Sequence, residues 1–413
     1  MMSALNPQRT VDELKELRAL TGNDDGAQRV AWTPTWDQAR AWMKEKVAGL
    51  PVEYEVDQAG NVWVTLRGKD TSKELLIGGH MDSVPNGGWL DGCLNVMAGI
   101  EVLRRIAAEG TPPVTVRVVD WADEEGARFG RSLVGSSAAS GTMNPEEVKV
   151  LKDKDGITYP EAVARYGLSI DTFLEAHAQI RNAKAYLELH IEQGPVLESL
   201  NLPLGVVLGT VGVERHAIRF NGQAAHSGST PMNKRKDALA GASKLHLEIR
   251  EIAKRHQGVC TVGRVTTLPG IVTSVVAQAD MTLDQRHLDP HHLSAMYREA
   301  VEYSQKVAQE ENITVQWTRI WDIHPIPFHP ALIEMCDHAI METAGVSHRL
   351  PSGPLHDAAE MGRIGIPTIM MFVQSLYGIS HNKIEDTKEE HLLMCVTALD
   401  KLASKALAWV ASQ

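Results

Sequence analysis

Cysteine is scarce and scattered in this chain. Cys93, Cys260, Cys336 and Cys395 are the only four in 413 residues, and no two have CxxC spacing. That excludes a disulfide framework and a thiolate zinc site, and the four read as small buried side chains. Long apolar runs are missing too. No window nears the roughly 20 apolar residues that span a bilayer, and no basic segment precedes an apolar core at the N-terminus. No membrane segment or signal peptide is expected, and the cytoplasm is the expected compartment. Positive charge is in deficit, with 41 Lys plus Arg against 52 Asp plus Glu and a net charge of −11. A general nucleic-acid binder would need a basic face, so that class drops out. Internal repeats and low-complexity tracts are absent. What is plentiful is histidine, 17 in all, which makes a metal or proton-transfer site worth seeking.

The patterning predicts an α/β chain with a smaller insertion. An amphipathic helix follows the polar start MMSALNPQ. Apolar runs at 74–79, 114–121, 185–190 and 366–373 read as strands, and 96–107 has the helical period. The middle differs. A strand at 216–220, a helix over Lys236–His256, strands near 260–266 and 272–283, a helix near 291–311 and a strand near 312–318 make a compact α+β unit. The simplest parse is a catalytic α/β domain over 1–212 and 326–413, with a mixed sheet flanked by helices, interrupted by an α+β domain at 213–325.

Four segments place acids or imidazoles just past a predicted strand. They are His80-Met81-Asp82 with Asp91-Gly92, then Asp123-Glu124-Glu125, then His190-Ile191-Glu192-Gln193, then Ser380-His381 with Glu385. Ligands gather at the carboxyl ends of strands in open α/β sheets, so these groups are expected to converge. Three imidazoles and several carboxylates, without thiolate, suit Zn, Mn, Co or Ni. A carboxylate such as Asp91 can bridge two cations that share a water. Asp82 is placed to hold the far nitrogen of His80. Of the adjacent Glu124 and Glu125, one can bind metal while the other stays free as a general base. Trp89, two residues before Asp91, reads as core packing.

In this order, GGHMDSVPNGGWLDG, DEEGARFG, LELHIEQGPVLE, AAHSGSTPMNKRKDA, LDQRH, SGPLHDA and GISHNKIED resemble the M20-type dinuclear metalloamidases. LHIEQGPVLE and HSGSTPM resemble the hydantoinase/carbamoylase branch, which holds N-carbamoyl-L-amino acid hydrolases, β-ureidopropionases and allantoate amidohydrolases. The resemblance implies two divalent ions per subunit. Asp91 would bridge them, His80 and His190 would complete one position, and Glu125 and His381 the other. It implies Glu124 as general base and Asp82 as the partner of His80. It implies that His226, in the inserted domain, acts in the site of a partner subunit of a homodimer and stabilises the developing oxyanion. Gln193 and Arg286 would bind substrate, Arg286 through a carboxylate; a surface salt bridge is the alternative for Arg286. The inserted domain would close over the site as a lid, hinged near Gly212 and Pro325.

The chain departs from the branch at Asn95, where a glycine is usual, at Thr273, where a substrate-binding asparagine is usual, and at Pro354 and Leu355. These positions are expected to fall where substrate is held, away from the metal-ligand set. The implied activity is hydrolysis of an N-carbamoyl-L-amino acid to amino acid, ammonia and carbon dioxide. The alternatives are a ureide such as allantoate, N-carbamoyl-β-alanine, an N-acyl amino acid or dipeptide, and a catalytically silent binding protein.

Overall fold

The computed structural model describes residues 4–413, so the first three residues of the polar start lie outside the described residues. The chain divides into two compact units. One runs to Leu208 and resumes over Phe328–Gln413; the other is Gly209–Pro327. The patterning expected the breaks at 213 and 325.

In chain order the principal strands are β1 (Glu53–Val56), β2 (Val62–Leu66), β3 (Asp70–His80), β4 (Val114–Trp121), β5 (Ala183–Ile191), β6 (Leu204–Thr210), β7 (Gly212–Asn221), β8 (Val259–Thr261), β9 (Val265–Leu268), β10 (Gln278–His287), β11 (Thr314–Ile323), β12 (Arg349–Ser352) and β13 (Thr368–Val373). The principal helices are α1 (Pro7–Thr21), α2 (Cys93–Glu109), α3 (Ala238–His256), α4 (Pro290–Glu310), α5 (Asp357–Arg363) and α6 (Glu389–Ser412).

The first unit is built on a mixed sheet with strand order β6-β13-β5-β3-β4-β2-β1. The central strands β13, β5, β3 and β4 are parallel. β6, β2 and β1 join antiparallel. Strands covered on both faces must be apolar on both faces, which is why VTVRVVDW in β4 and the end of β3 show no alternation and are buried throughout. The helices flank this sheet. α2 is buried almost all round, as a helix with apolar residues on every side must be. It packs on β3 and β5 and against α1 and α6.

The second unit pairs β10 and β11 antiparallel on either side of β7, with β8 and β9 both on the outer edge of β10. Here the alternation is clean. Ala279, Met281, Leu283 and Gln285 point into the core beneath α3 and α4, while Asp280, Thr282, Asp284 and Arg286 share the other face.

Two expected strands differ. The run 260–266 breaks at Gly263 into β8 and β9. The run 272–283 starts as a strand only at Gln278. Its β-branched opening, Val272-Thr273, is exposed, so strand-like composition there reflects no buried face. Cys93, Cys336 and Cys395 are buried and Cys260 is half-buried, all as free thiols. Trp89 packs, with its indole N–H donating to Asp386 Oδ1 at 3.2 Å. Asn95 is fully buried in α2, and its Oδ1 accepts the Leu189 N–H of β5 at 3.0 Å, so it braces the strand that carries His190. Asn95→Ala leaves that amide unpaired in the core. It is expected to lower unfolding stability by about 1–3 kcal/mol in denaturant titration, and an unchanged midpoint would remove the brace.

Candidate metal centre

The parallel strands deliver the chemistry to one edge of the sheet. His80 ends β3, His190 is the penultimate residue of β5, Asp123-Glu124-Glu125 follow β4, and the Ser380-His381 segment follows β13. Asp91 stands just before α2. Gly92 has φ 67, and a Cβ there would meet the His80 ring at 2.2 Å, so glycine is what lets Asp91 turn in against the imidazole.

Two donor sets share Asp91. His80, Asp91 and His190 form one; Asp91, Glu125 and His381 form the other, with donor atoms in each set within 4.8 Å of one another. The aspartate divides its oxygens between them. Oδ1 lies 3.2 Å from His190 Nε2 and 3.8 Å from His80 Nε2, and Oδ2 lies 3.4 Å from His381 Nε2. His381 Nε2 is 3.3 Å from Glu125 Oε2.

The imidazoles are oriented from behind. His80 Nδ1 donates to the Asp82 backbone carbonyl at 3.1 Å, and His190 Nδ1 to the Ile191 carbonyl at 2.8 Å. Those bonds turn both Nε2 atoms toward the shared space. The Asp82 carboxylate is 3.5 Å from His80 Nδ1, and its oxygens accept the backbone N–H groups of Glu124 and Glu125 at 3.2 and 3.1 Å. Asp82 therefore ties the His80 segment to the paired glutamates.

Glu124 belongs to neither donor set. It is buried, with Oε2 3.6 Å from His80 Nε2. Burial, above the opposing pull of His80, holds its carboxyl well above the usual range, and Asp357, Glu125 and Asp82 add to the rise. Burial and the Asp91 charge push Glu125 up to about 7, against His80 and His381. The hydrogen bond to Asp91 lifts His381 to about 9 despite burial. For His80, burial disfavours the charged form, but Glu124, Asp82 and Asp91 outweigh it and raise the imidazole.

This donor set fits divalent cations. Five carboxylates, Asp82, Asp91, Glu124, Glu125 and Glu385, crowd three imidazoles, and Glu125 Oε1 is buried without a hydrogen-bond partner. Without cations, protons must neutralise the cluster.

Gln193 has φ 55, and its Nε2 reaches Asp91 Oδ2 at 3.0 Å and Ser380 Oγ at 3.1 Å. Three residues escaped the sequence reading. His356 is buried, its ring centroid 4.2 Å from that of His190, with Nε2 unpartnered. Glu188 Oε2 accepts the Tyr186 hydroxyl at 2.9 Å and the Ala358 N–H at 2.8 Å, and Glu188, His190 and His356 form a further donor group. Asp357 is fully buried, with the Ser136 side chain beside its carboxyl. Glu188 was findable, because strand parity puts it on the face of His190. His356-Asp357 had only the GPLHDA stretch to mark it.

In the second unit, His226 bridges to Ser274, and the Ser227 N–H donates to the Thr273 carbonyl at 3.0 Å. His226 Nδ1 accepts the N–H groups of Gly228 and Ser229, both at 3.2 Å. This cluster sits off the Gln278 end of β10. Arg286 is at the other end, and its Nε donates to Asp284 Oδ1 at 2.8 Å, the salt bridge that was its alternative. Eight strand residues put the two ends ~26 Å apart.

The comparisons with known proteins agree in kind. The profile of Peptidase family M20/M25/M40 matches residues 76–405. An N-carbamoyl-L-amino acid amidohydrolase of Geobacillus stearothermophilus is 35% identical over 375 residues, covering 88% of this chain and 90% of its own. An allantoate amidohydrolase of Escherichia coli (strain K12) is 32% identical over 392 residues, covering 93% of each. The crystal structure of an amidase of the hydantoinase/carbamoylase family from Burkholderia multivorans superposes with a TM-score of 0.85 at 31% identity, covering 98% of each chain.

Metal binding here must displace protons. His381 keeps its proton up to about 9 and Glu125 up to about 7, so affinity for Zn²⁺ is expected to rise with pH from 6 towards 9. Calorimetry in two buffers of different ionisation enthalpy should register released protons; an affinity independent of pH would contradict the assignment. The extent of the profile match and the near full-length likeness to these hydrolases establish that the chain belongs to peptidase family M20/M25/M40 and is an enzyme acting on amides.

Proposed function

We propose that this enzyme hydrolyses the carbamoyl C–N bond of N-carbamoyl-L-amino acids with the help of two divalent cations. The observation that carries the reading is the divided Asp91 carboxylate, one oxygen toward each donor set, beside a buried glutamate that belongs to neither. Likeness to N-carbamoyl-L-amino acid amidohydrolases supports the substrate class. Allantoate is the second reading, favoured by the similarly extensive likeness to allantoate amidohydrolases.

His80, His190 and Asp91 would hold one cation, and Asp91, Glu125 and His381 the other. Bound there, the cations supply the positive charge that acidifies a water and polarises the substrate carbonyl. Glu124 takes the proton of the attacking water, and its raised carboxyl pKa suits it to hand that proton to the leaving nitrogen. The free amino acid leaves, and the carbamate released with it breaks down to ammonia and carbon dioxide. Gln193 orients substrate beside Asp91.

Arg286 receives the substrate carboxylate, exchanging part of its fork from Asp284. His226 donates to the developing oxyanion, with Thr273 beside it. The ~26 Å of β10 between the Thr273 end and Arg286 exceeds the length of any carbamoyl amino acid. One substrate molecule would not reach both ends, which supports a homodimer in which His226 and Thr273 act in the partner's site.

Glu124→Gln should lower kcat by about 10²–10⁴-fold with metal content unchanged; near-normal turnover removes Glu124 as the base. Mixing inactive Glu124→Gln with inactive His226→Ala should restore about one quarter of the wild-type sites by random two-fold assortment. No recovery after verified subunit exchange would count against action across subunits. Ammonia release from N-carbamoyl-L-amino acids, allantoate and N-acetyl amino acids, assayed side by side, separates the substrate readings.

A further inference from the structure

Glu385 lies outside both donor sets yet grips each of them. Its Oε1 accepts the backbone N–H groups of Leu90 and Asp91 at 3.2 and 3.1 Å. Its Oε2 lies 2.8 Å from the Ser380 hydroxyl, whose single proton it shares with Asp91 Oδ2 at 3.0 Å, and Ser380 is bonded directly to His381 in the chain. One buried carboxylate, 294 positions from Asp91, thus joins the backbone of the shared aspartate to the segment carrying the most distal donor. The fit is close. A Cβ at Gly88 would fall 1.9 Å from Glu385 Oε1, so the chain needs glycine there for the carboxylate to approach.

The two donor sets differ in what fixes them. His80 and His190 are buried on neighbouring parallel strands, and each is held in the sheet by its other neighbour, His80 opposite Trp121 of β4 and His190 opposite Phe372 of β13. His381 sits beyond β13 in a segment with no regular structure, at φ 54, with its side chain half exposed. No ladder reaches it. Its anchors are Ser380, which touches Asp91 Oδ2 at 3.0 Å, and through Ser380 the Glu385 carboxylate. Asp91, in contrast, stays tied to the start of α2 by the Cys93 N–H on its own carbonyl and the Leu94 N–H on that of Leu90.

We propose that Glu385 is a positioning residue for one cation position only, the one lined by Glu125 and His381, and leaves the position lined by His80 and His190 to the sheet. The proposal rests on the two-cation reading above. Removing an outer hydrogen-bond partner of a metal ligand typically costs 10–100-fold in metal affinity.

The test is a Zn²⁺ titration of the chelator-stripped full chain against a chromophoric competitor, with folding followed by circular dichroism. Wild type should bind in two steps. Glu385→Ala should weaken one step by about 10–100-fold and leave the other unchanged, and it should weaken the same step as His381→Ala, not the step lost in His80→Ala. Ser380→Ala should shift that same step, and Glu385→Gln, which keeps an acceptor for Leu90 and Asp91, should recover part of it. A merely structural role would lower both steps alike. Equal weakening of both steps, or of neither, overturns the proposal while the two-cation reading stands. A single wild-type step overturns that reading instead, and this inference with it. Should Glu385→Ala fail to fold, Glu385→Gln and Ser380→Ala carry the same comparison.

Discussion

The rest of the structure depends on one electrostatic constraint: the first unit buries more carboxylates at one edge of its sheet than it has fixed cations to pair with them. Asp82, Asp91, Glu124 and Glu385 are all buried there, and Glu125 buries its side chain beside them. Isolated buried charges of one sign are costly, and a cluster that keeps them must bind protons or metal ions. The folded chain orders donors that could take up cations. Backbone carbonyls behind His80 and His190 fix the tautomer, and Asp82 spends its oxygens on the Glu124 and Glu125 amides.

That preparation is divided between rigid and irregular parts of the fold. Parallel strands space His80 and His190, while hydrogen bonds among Gln193, Ser380, Asp91 and Glu385 gather the irregular segments. Within the second unit, the His226–Thr273 cluster lies off one end of β10 and Arg286 lies at the other.

Much of this was legible in the sequence, for physical reasons. Strands buried on both faces left apolar runs; the expected 114–121 is β4 itself, and the helix over Lys236–His256 begins only two residues late. Chemistry at strand ends could be read because a parallel sheet puts its carboxyl ends on one edge. What stayed hidden was whatever depends on partners distant in sequence. Nothing local marks Asn95 as the partner of Leu189, or Glu385 as that of Leu90 and Asp91. The run at Val272-Thr273 misled because β-branched composition cannot tell a buried strand from an exposed turn.

Strand order has a consequence for how the chain is made. β13 lies between β5 and β6, although the ribosome finishes β6 more than a hundred and fifty residues earlier. A nascent chain that already holds the whole second unit therefore still has a vacant slot one strand in from the β6 edge of its first sheet. The hydrogen-bonding edges of β5 and β6 must wait, unpaired with each other, for a strand from the last tenth or so of synthesis. The segment that then completes the donor sets follows that same strand. Until it arrives the first unit has neither its full sheet nor the Asp91, Glu125 and His381 donor set, and a product truncated before β13 lacks both.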